Sequence, residues 1–329
     1  MKVLIVTPYR NFPGGVEKYN SLIEEILVSD GSSVEYLTTD DYPLSPILKF
    51  KKKVFGMAAI TAKRFKNIDS SKYDLIICNG EFSLGIKHPN VLNIFHGSFL
   101  GFRDFLKNEL SLKHFLSLTW QSVLQASGST NKKVVTVSKF NATQLEKQGI
   151  KVKDILLNPV DLEKYTPKDC KRAGILNVST YKYFGKGFDL LKKLSCLRDD
   201  ITCVTNKRPD FNCRWIESVG GMELAPIYNE HKVVIIPSRY ESASLVALEA
   251  MACGVPIVMN RVGYALEIEK IIPEFVLPIE DLLDAKTYDE RIELIISNYD
   301  ELSKKARDYV EAHHSMKTFK TNFLKIIKG

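Results

Sequence analysis

Residues Pro237–Gly263, PSRYESASLVALEAMACGVPIVMNRVG, constrain this chain more than any other stretch. Two glutamates, Glu241 and Glu249, stand there with seven residues between them. The pattern reads as a turn followed by a helix. Ser242 or Ser244 can cap the helix start, Gly254 followed by Pro256 stops it, and the chain re-enters a strand at Val255–Met259. A helix flanked by short β-rich apolar runs is the repeating unit of a parallel sheet.

That unit recurs along the chain. Candidate strands in the first half are Val3–Val6, Val34–Leu37, Leu75–Ile77, Val91–Ile94 and Val134–Val137. In the second half they are Ile175–Val178, Ile201–Val204, Val233–Ile236, Pro256–Met259 and Phe275–Leu277. Helical patterns such as Val16–Leu27 and Asn141–Lys147 lie between them. The alternation predicts an α/β protein with parallel sheets covered by helices on both faces. At 329 residues the chain is long enough for two such domains. The break falls near ILLNPVDLEKYTP, where Asn158-Pro159 interrupts any regular element and Pro167 opens a new unit. Ligands of such sheets bind at the carboxyl ends of strands.

Charge separates the halves. Residues 1–157 carry 21 Lys+Arg against 14 Asp+Glu, while 158–329 carry 25 of each, so the whole net charge of +7 lies in the first half. That half is expected to meet something anionic. The start, MKVLIVTPYR, reads as a buried strand rather than a signal peptide, and no apolar run reaches the length of a membrane span. Six cysteines without a C-x-x-C pair fit reduced thiols in a cytosol.

The Pro237–Gly263 segment resembles the E-x7-E signature of retaining glycosyltransferases with two Rossmann-like domains, the family usually called GT4. The likeness is carried by Pro237-Ser238, by Leu248-Glu249-Ala250-Met251-Ala252 and by Gly254-Val255-Pro256-Ile257-Val258. It implies a GT-B fold, two doubly wound parallel-sheet domains facing a central cleft. Residues 1–157 would bind the acceptor and 158–305 a nucleotide-sugar, with the helical stretch from about 306 to 329 packing back on the first domain. Eight helical steps cover roughly 12 Å, about the reach from ribose to sugar in such a ligand. Glu249 is then expected on the ribose hydroxyls and Glu241 on the transferred sugar. Lys186 and the helix start at Ser242, Ser244 and Leu245 would hold the diphosphate. Gly15 and His96 are expected to close the site from the N-terminal domain.

Each of these residues has an ordinary reading as well. Gly14-Gly15-Val16-Glu17 follows the first strand as a ligand-approaching or a plain βα turn. It is neither G-x-G-x-x-G nor a P-loop, which disfavours NAD and P-loop chemistry. Lys186-Gly187 closes the loop after Ile175–Val178, where a lysine can neutralise a diphosphate or simply face solvent. The family's Gly-Arg before this lysine reads Ser179-Thr180 here, with Lys182 as a substitute cation. His96-Gly97 ends the strand Val91–Ile94 and is the family's place for a sugar-contacting histidine. The remaining histidines lack metal-ligand spacing, so neither a metal nor another cofactor is expected.

Residues Ser45–Ile68 form a basic amphipathic region. Lys51, Lys52, Lys53 and Arg64 are expected to face the acceptor or an anionic membrane, the plain alternative being a solvated lysine face. The aromatic-rich Phe95–Trp120 stretch is read as core. No nucleic-acid module is visible. The resemblance thus implies a hexosyltransferase-type enzyme in cell-surface polysaccharide or glycoconjugate assembly, cytoplasmic and peripheral at the inner face of the membrane. Its alternatives are an epimerase or hydrolase of nucleotide-sugars on the same fold, and a non-catalytic partner subunit. Sugar, base, acceptor and oligomeric state are not encoded legibly.

Overall fold

The computed structural model describes residues 1–10, 14–40, 45–182, 184–219, 222–278 and 284–329. Two compact units emerge. The first comprises Met1–Val137, Asn141–Leu156 and Lys325–Gly329, the second Ser138–Phe140 and Leu157–Leu324.

In the first unit, strands β1 (Lys2–Val6), β2 (Ser33–Leu37), β3 (Leu75–Asn79), β4 (Val91–Phe95), β5 (Lys133–Thr136) and β6 (Asp154–Ile155) form one sheet in the order β2-β1-β3-β4-β5-β6. Every pairing in it is parallel, with Val3 opposite both Val34 and Leu75. In the second unit, β7 (Ile175–Val178), β8 (Ile201–Thr205), β9 (Arg214–Glu217), β10 (Val233–Ile236), β11 (Ile257–Asn260) and β12 (Val276–Leu277) pair in the order β12-β11-β10-β7-β8-β9, again all parallel. Central strands are apolar on both faces because helices cover both sides: β3, β4, β8, β10 and β11 are buried throughout.

The helices of the first unit are α1 (Gly15–Ser29), α2 (Pro46–Phe55), α3 (Ala58–Phe65), α4 (Phe99–Phe105), α5 (Leu112–Ser129) and α6 (Lys139–Lys147), whose first residues group with the second unit. The second unit holds α7 (Phe188–Leu194), α8 (Ala225–Asn229), α9 (Leu245–Ala252), α10 (Ala265–Ile268), α11 (Ala285–Ser297) and α12 (Tyr299–His314). Most of α13 (Met316–Lys328) groups with the second unit and its end with the first. There Lys133 donates to the Ile326 carbonyl at 2.6 Å and Lys328 pairs with Asp30 at 3.0 Å. Ala306, Tyr309 and Val310 of α12 lie in the core of the second unit with Leu176, Ala247 and Ile257.

All ten expected strands are present, and the sequence pattern passes over two more, β6 and β9. Both are sheet edges: β9, Arg-Trp-Ile-Glu, buries neither end residue, so it lacks the apolar run that marks a central strand. The stretch Phe95–Trp120 is core only in part, its buried apolar side chains being Phe95 and Leu106. Phe95 is fully buried, whereas Leu112, Leu116 and Trp120 on α5 are exposed, the buried residues of that helix being Ser122, Leu124, Gln125, Gly128 and Ser129. All six cysteines are free thiols. Among the described residues, no helix is long and apolar enough to cross a membrane.

Candidate functional site

The chain order of the second sheet reverses between β7 and β10: from β7 it runs outward to β8 and β9, from β10 to β11 and β12 on the other side. A crevice opens at the carboxyl ends of two strands that diverge in this way. The loop leaving β7 carries Lys186, and the loop leaving β10 carries Glu241. Their side chains meet: Lys186 Nζ donates to Glu241 Oε1, which also accepts from Ser238 Oγ at 2.9 Å. Each side chain of the pair is about three-quarters buried or more.

An arginine that sequence reasoning passed over fixes this geometry. Arg239, only 6 % exposed, reaches Asp189 at the start of α7 through both terminal nitrogens, at 2.7 and 2.6 Å. Its guanidinium lies 3.5 Å from the Phe184 ring centroid and donates to the Phe184 carbonyl, while its own N–H donates to Gly185 O. A bidentate, stacked arginine of this kind is rigid. It bolts the Glu241 loop to the Lys186 loop and is fully engaged in doing so. Of the Ser179-Thr180 pair, Ser179 Oγ donates to Asn177 Oδ1 at 2.9 Å, and Thr180 and Lys182 are exposed.

Glu249 lies in the second turn of α9, whereas Glu241 precedes that helix by four residues. The expected rise of eight helical steps therefore does not apply to the pair, because half of the interval is loop. Glu249 Oε2 accepts from the Tyr228 hydroxyl at 2.8 Å, and Tyr165 bonds the same carboxylate. Burial first, and the carboxylate second, push both phenols above their usual range, so both remain protonated donors. Ser244 is the N-cap of α9, accepting from Ala247 N at 3.4 Å, and its hydroxyl is thereby occupied. Ser242 Oγ lies 3.3 Å from Tyr240 OH, and Leu245 opens the helix with its side chain exposed. Tyr228→Phe leaves Glu249 with one phenol, that of Tyr165, and is expected to cost about 1 kcal/mol of unfolding free energy, the worth of roughly one hydrogen bond; denaturant titration checks it.

In the first unit the order reverses between β1 and β3, and polar side chains collect at that edge. His96, just beyond β4, shares a hydrogen bond with Asn79 Oδ1 through Nε2 at 3.0 Å. Asn79 Nδ2 donates to Asn20 Oδ1 at 3.1 Å, and Asn20 Nδ2 to Thr7 Oγ1 at 3.0 Å. The donors run in one direction from the imidazole inward. His96 thus gives its Nε2 proton to Asn79 and keeps Nδ1 as the acceptor nitrogen. Burial pushes its pKa down to about 4, so the ring is neutral at neutral pH. The Tyr19 ring meets it edge-on at 4.7 Å. Asn79→Ala removes the orienting acceptor of the His96 ring. Long-range ¹H–¹⁵N spectra of the His96 ring should show a tautomer mixture in this variant.

Among the described residues, no atom lies within 4 Å of where a Cβ would stand on Gly15, the first residue of α1. Lys51 and Lys53 on α2 are exposed and Lys52 half-exposed. Arg64 is differently employed: it donates to the Thr38 carbonyl at 2.7 Å and to that of Asp40 at 3.2 Å, tying α3 to the end of β2. Among the described residues, no group of three His, Cys, Asp or Glu side chains is arranged to hold a metal ion.

Residues 201–295 match the family described as glycosyl transferases, group 1. The D-inositol 3-phosphate glycosyltransferase of Saccharomonospora viridis is 34 % identical over 99 residues, 30 % of this chain and 23 % of that relative. The alignment thus spans under a quarter of the relative's length. Among solved structures, the sucrose-phosphate synthase of Thermosynechococcus elongatus superposes with a TM-score of 0.76 at 17 % identity, over 99 % of this chain and 98 % of the other. Anabaena HepE, solved with UDP and glucose, gives 0.69 at 14 % over 100 % and 99 %. The fold is that of the GT-B glycosyltransferases.

Proposed function

We propose that this chain, a GT-B protein whose residues 201–295 belong to the group 1 glycosyl transferases, moves a sugar from a nucleotide-diphosphate sugar to a glycan or lipid-linked acceptor with retention of anomeric configuration. The observation that carries the reading is the meeting of Lys186 and Glu241 at the crossover of the second sheet. A cation and a carboxylate clamped at one point suit a substrate that presents a diphosphate beside a hydroxyl-rich ring. The presence of UDP and glucose in the HepE structure supports this donor class.

The roles follow from chemistry. A diphosphate competes with Glu241 for the Lys186 ammonium, which neutralises charge as the phosphate leaves. Glu241, released, accepts from hydroxyls of the transferred sugar. Glu249, held by two phenols, accepts from the ribose hydroxyls. Leu245, with Ser242 and the Ser244-capped start of α9, offers backbone N–H groups to the phosphates. His96 and Gly15 are assigned contact with the sugar, His96 accepting through Nδ1. Charge stabilisation by Lys186 and the helix start leaves no step that calls for a metal. The departing phosphate takes the acceptor proton on the same sugar face, which gives retention. The reaction serves polysaccharide or glycoconjugate assembly, at the cytoplasmic face of an anionic membrane that Lys51, Lys52 and Lys53 approach.

A thermal-shift panel with UDP, GDP, ADP, CMP and common nucleotide-sugars, with Mg²⁺ and with EDTA, tests the assignment. Ligand at a hundred times its Kd should add about 2.7 kcal/mol, for one base only and equally in both buffers. Thr180 in the place of the family's arginine favours the second reading, a non-catalytic partner subunit, and no shift with any nucleotide would establish that reading instead.

A further inference from the structure

On helix α5 the residues Leu112, Leu116, Trp120 and Val123 recur at i, i+4, i+8 and i+11, one face of a helix, and all four are exposed. Leu112 shows 74 % of its surface. Helix α2 adds Ile47, 70 % exposed, and Phe50. The two helices are joined at this face: Trp120 Nε1 donates to the Val54 carbonyl at 2.6 Å, and the Trp120 and Phe55 ring centroids lie 6.4 Å apart. Scattered exposed apolar residues are ordinary, whereas a run of them continuous across two helices marks an interaction surface.

The charge carried by these helices is of one sign, the acids nearest to α5 in sequence, Asp104 and Glu109, preceding it. Helix α2 carries Lys49, Lys51, Lys52 and Lys53, α5 carries Lys113, and neither helix holds an acidic residue. The neighbouring α3 has Lys63 and Arg64 and again no acid. A second copy seated on this face about a two-fold axis would set lysine against lysine. A soluble anionic polymer would satisfy the lysines and leave six apolar side chains in water. A bilayer with anionic headgroups satisfies both sets, the lysines at the phosphates and the apolar chains at the acyl boundary.

We propose that the joined α2–α5 face inserts into an anionic lipid bilayer, with Trp120 at headgroup depth. This deepens the membrane part of the proposed function: contact is made by insertion of apolar side chains from both helices, and Arg64, committed to two carbonyls, takes no part. The inference is independent of which sugar is moved.

The chain has two tryptophans, and Trp215 lies in β9 of the second unit, so Trp215→Phe leaves Trp120 as the only emitter. Titration of this variant with vesicles of phosphatidylcholine and phosphatidylglycerol is expected to shift its emission to the blue. Brominated acyl chains should quench it, and phosphatidylcholine alone should do neither. In wild-type protein the same quenching should appear, and should vanish in Trp120→Phe. Leu112→Ser with Leu116→Ser, both at exposed sites, should lower vesicle partitioning at least about tenfold with the unfolding midpoint unchanged. Binding that leaves Trp120 emission unshifted and unquenched would overturn insertion, as would no binding to anionic vesicles. A lipid-free emission shift that grows with protein concentration, with dimers in sedimentation velocity, would assign the face to a second copy instead. None of these readouts uses nucleotide or turnover, so a failure here leaves the donor assignment standing, and the reverse holds too.

Discussion

Replacing Glu241 with alanine is expected to reduce sugar transfer at least about a hundredfold, the scale seen when a preorganised electrostatic contact to a transition state is removed. The protein should stay folded. Lys186 keeps a quarter of its side-chain surface in water, so its side chain is not sealed in the core when the carboxylate is removed. The lost charged hydrogen bond costs about 1.5–3 kcal/mol of stability. Nucleotide binding should survive and even tighten slightly, because Lys186 is no longer shared between a carboxylate and the diphosphate. Steady-state kinetics beside titration of the nucleoside diphosphate separates the two effects. Near-normal turnover in Glu241→Ala would remove this residue from the chemistry. Lys186→Ala should instead lose nucleotide affinity and turnover together. The double variant should be scarcely worse than the poorer single one, since the two act as a unit.

How legible these features were in the sequence depended on where each one lies. The central strands announce themselves because a parallel sheet covered on both faces favours unbroken apolar runs, as in Val233–Ile236 and the first three residues of Ile257–Asn260. The edge strands Asp154–Ile155 and Arg214–Glu217 carry no such signature. Within the candidate site, Glu241 and Glu249 stand out by the string that flanks them and Lys186 by the Lys-Gly pair after its strand, and both signals are local in sequence. Their supports do not stand out, because each is assembled from afar. Arg239 reaches back fifty residues to Asp189, Tyr228 reaches forward twenty-one to Glu249, and Asn79 joins Asn20, fifty-nine residues back, to His96. Only Arg239 left a trace, an arginine two places before Glu241. The exposed side chains Leu112, Leu116 and Trp120 fall in a stretch read as core from its aromatic richness, and composition does not report what a helix face rests on.

A second large loss is expected from a methyl group at a residue that touches no substrate. Gly187 follows Lys186 with φ at +71°, where an L-residue is strained by about 1–2 kcal/mol. Strain is the smaller part. A Cβ there would stand 2.2 Å from the Pro237 carbonyl oxygen and 2.9 Å from the Pro237 Cβ. That obstacle is backbone and a proline ring, neither of which can turn aside, so the Lys186 loop and the Glu241 loop must separate. Arg239, bonded across the same seam to Gly185 and Asp189, loses its geometry with them. Gly187→Ala should therefore lower kcat/KM at least about a hundredfold, comparable to a misplacement near 1 Å, raise the Kd for nucleotide, and cost about 3 kcal/mol or more in stability. Gly31→Ala separates strain from collision: φ is +78° there and, among the described residues, nothing lies within 4 Å of the added methyl. It should lose the strain energy alone and keep full activity. If Gly187→Ala behaves like Gly31→Ala, the contact with Pro237 does not set the spacing of Lys186 and Glu241. If it behaves like Glu241→Ala in turnover while also losing nucleotide, the seam between the two loops is what aligns the cation with the carboxylate.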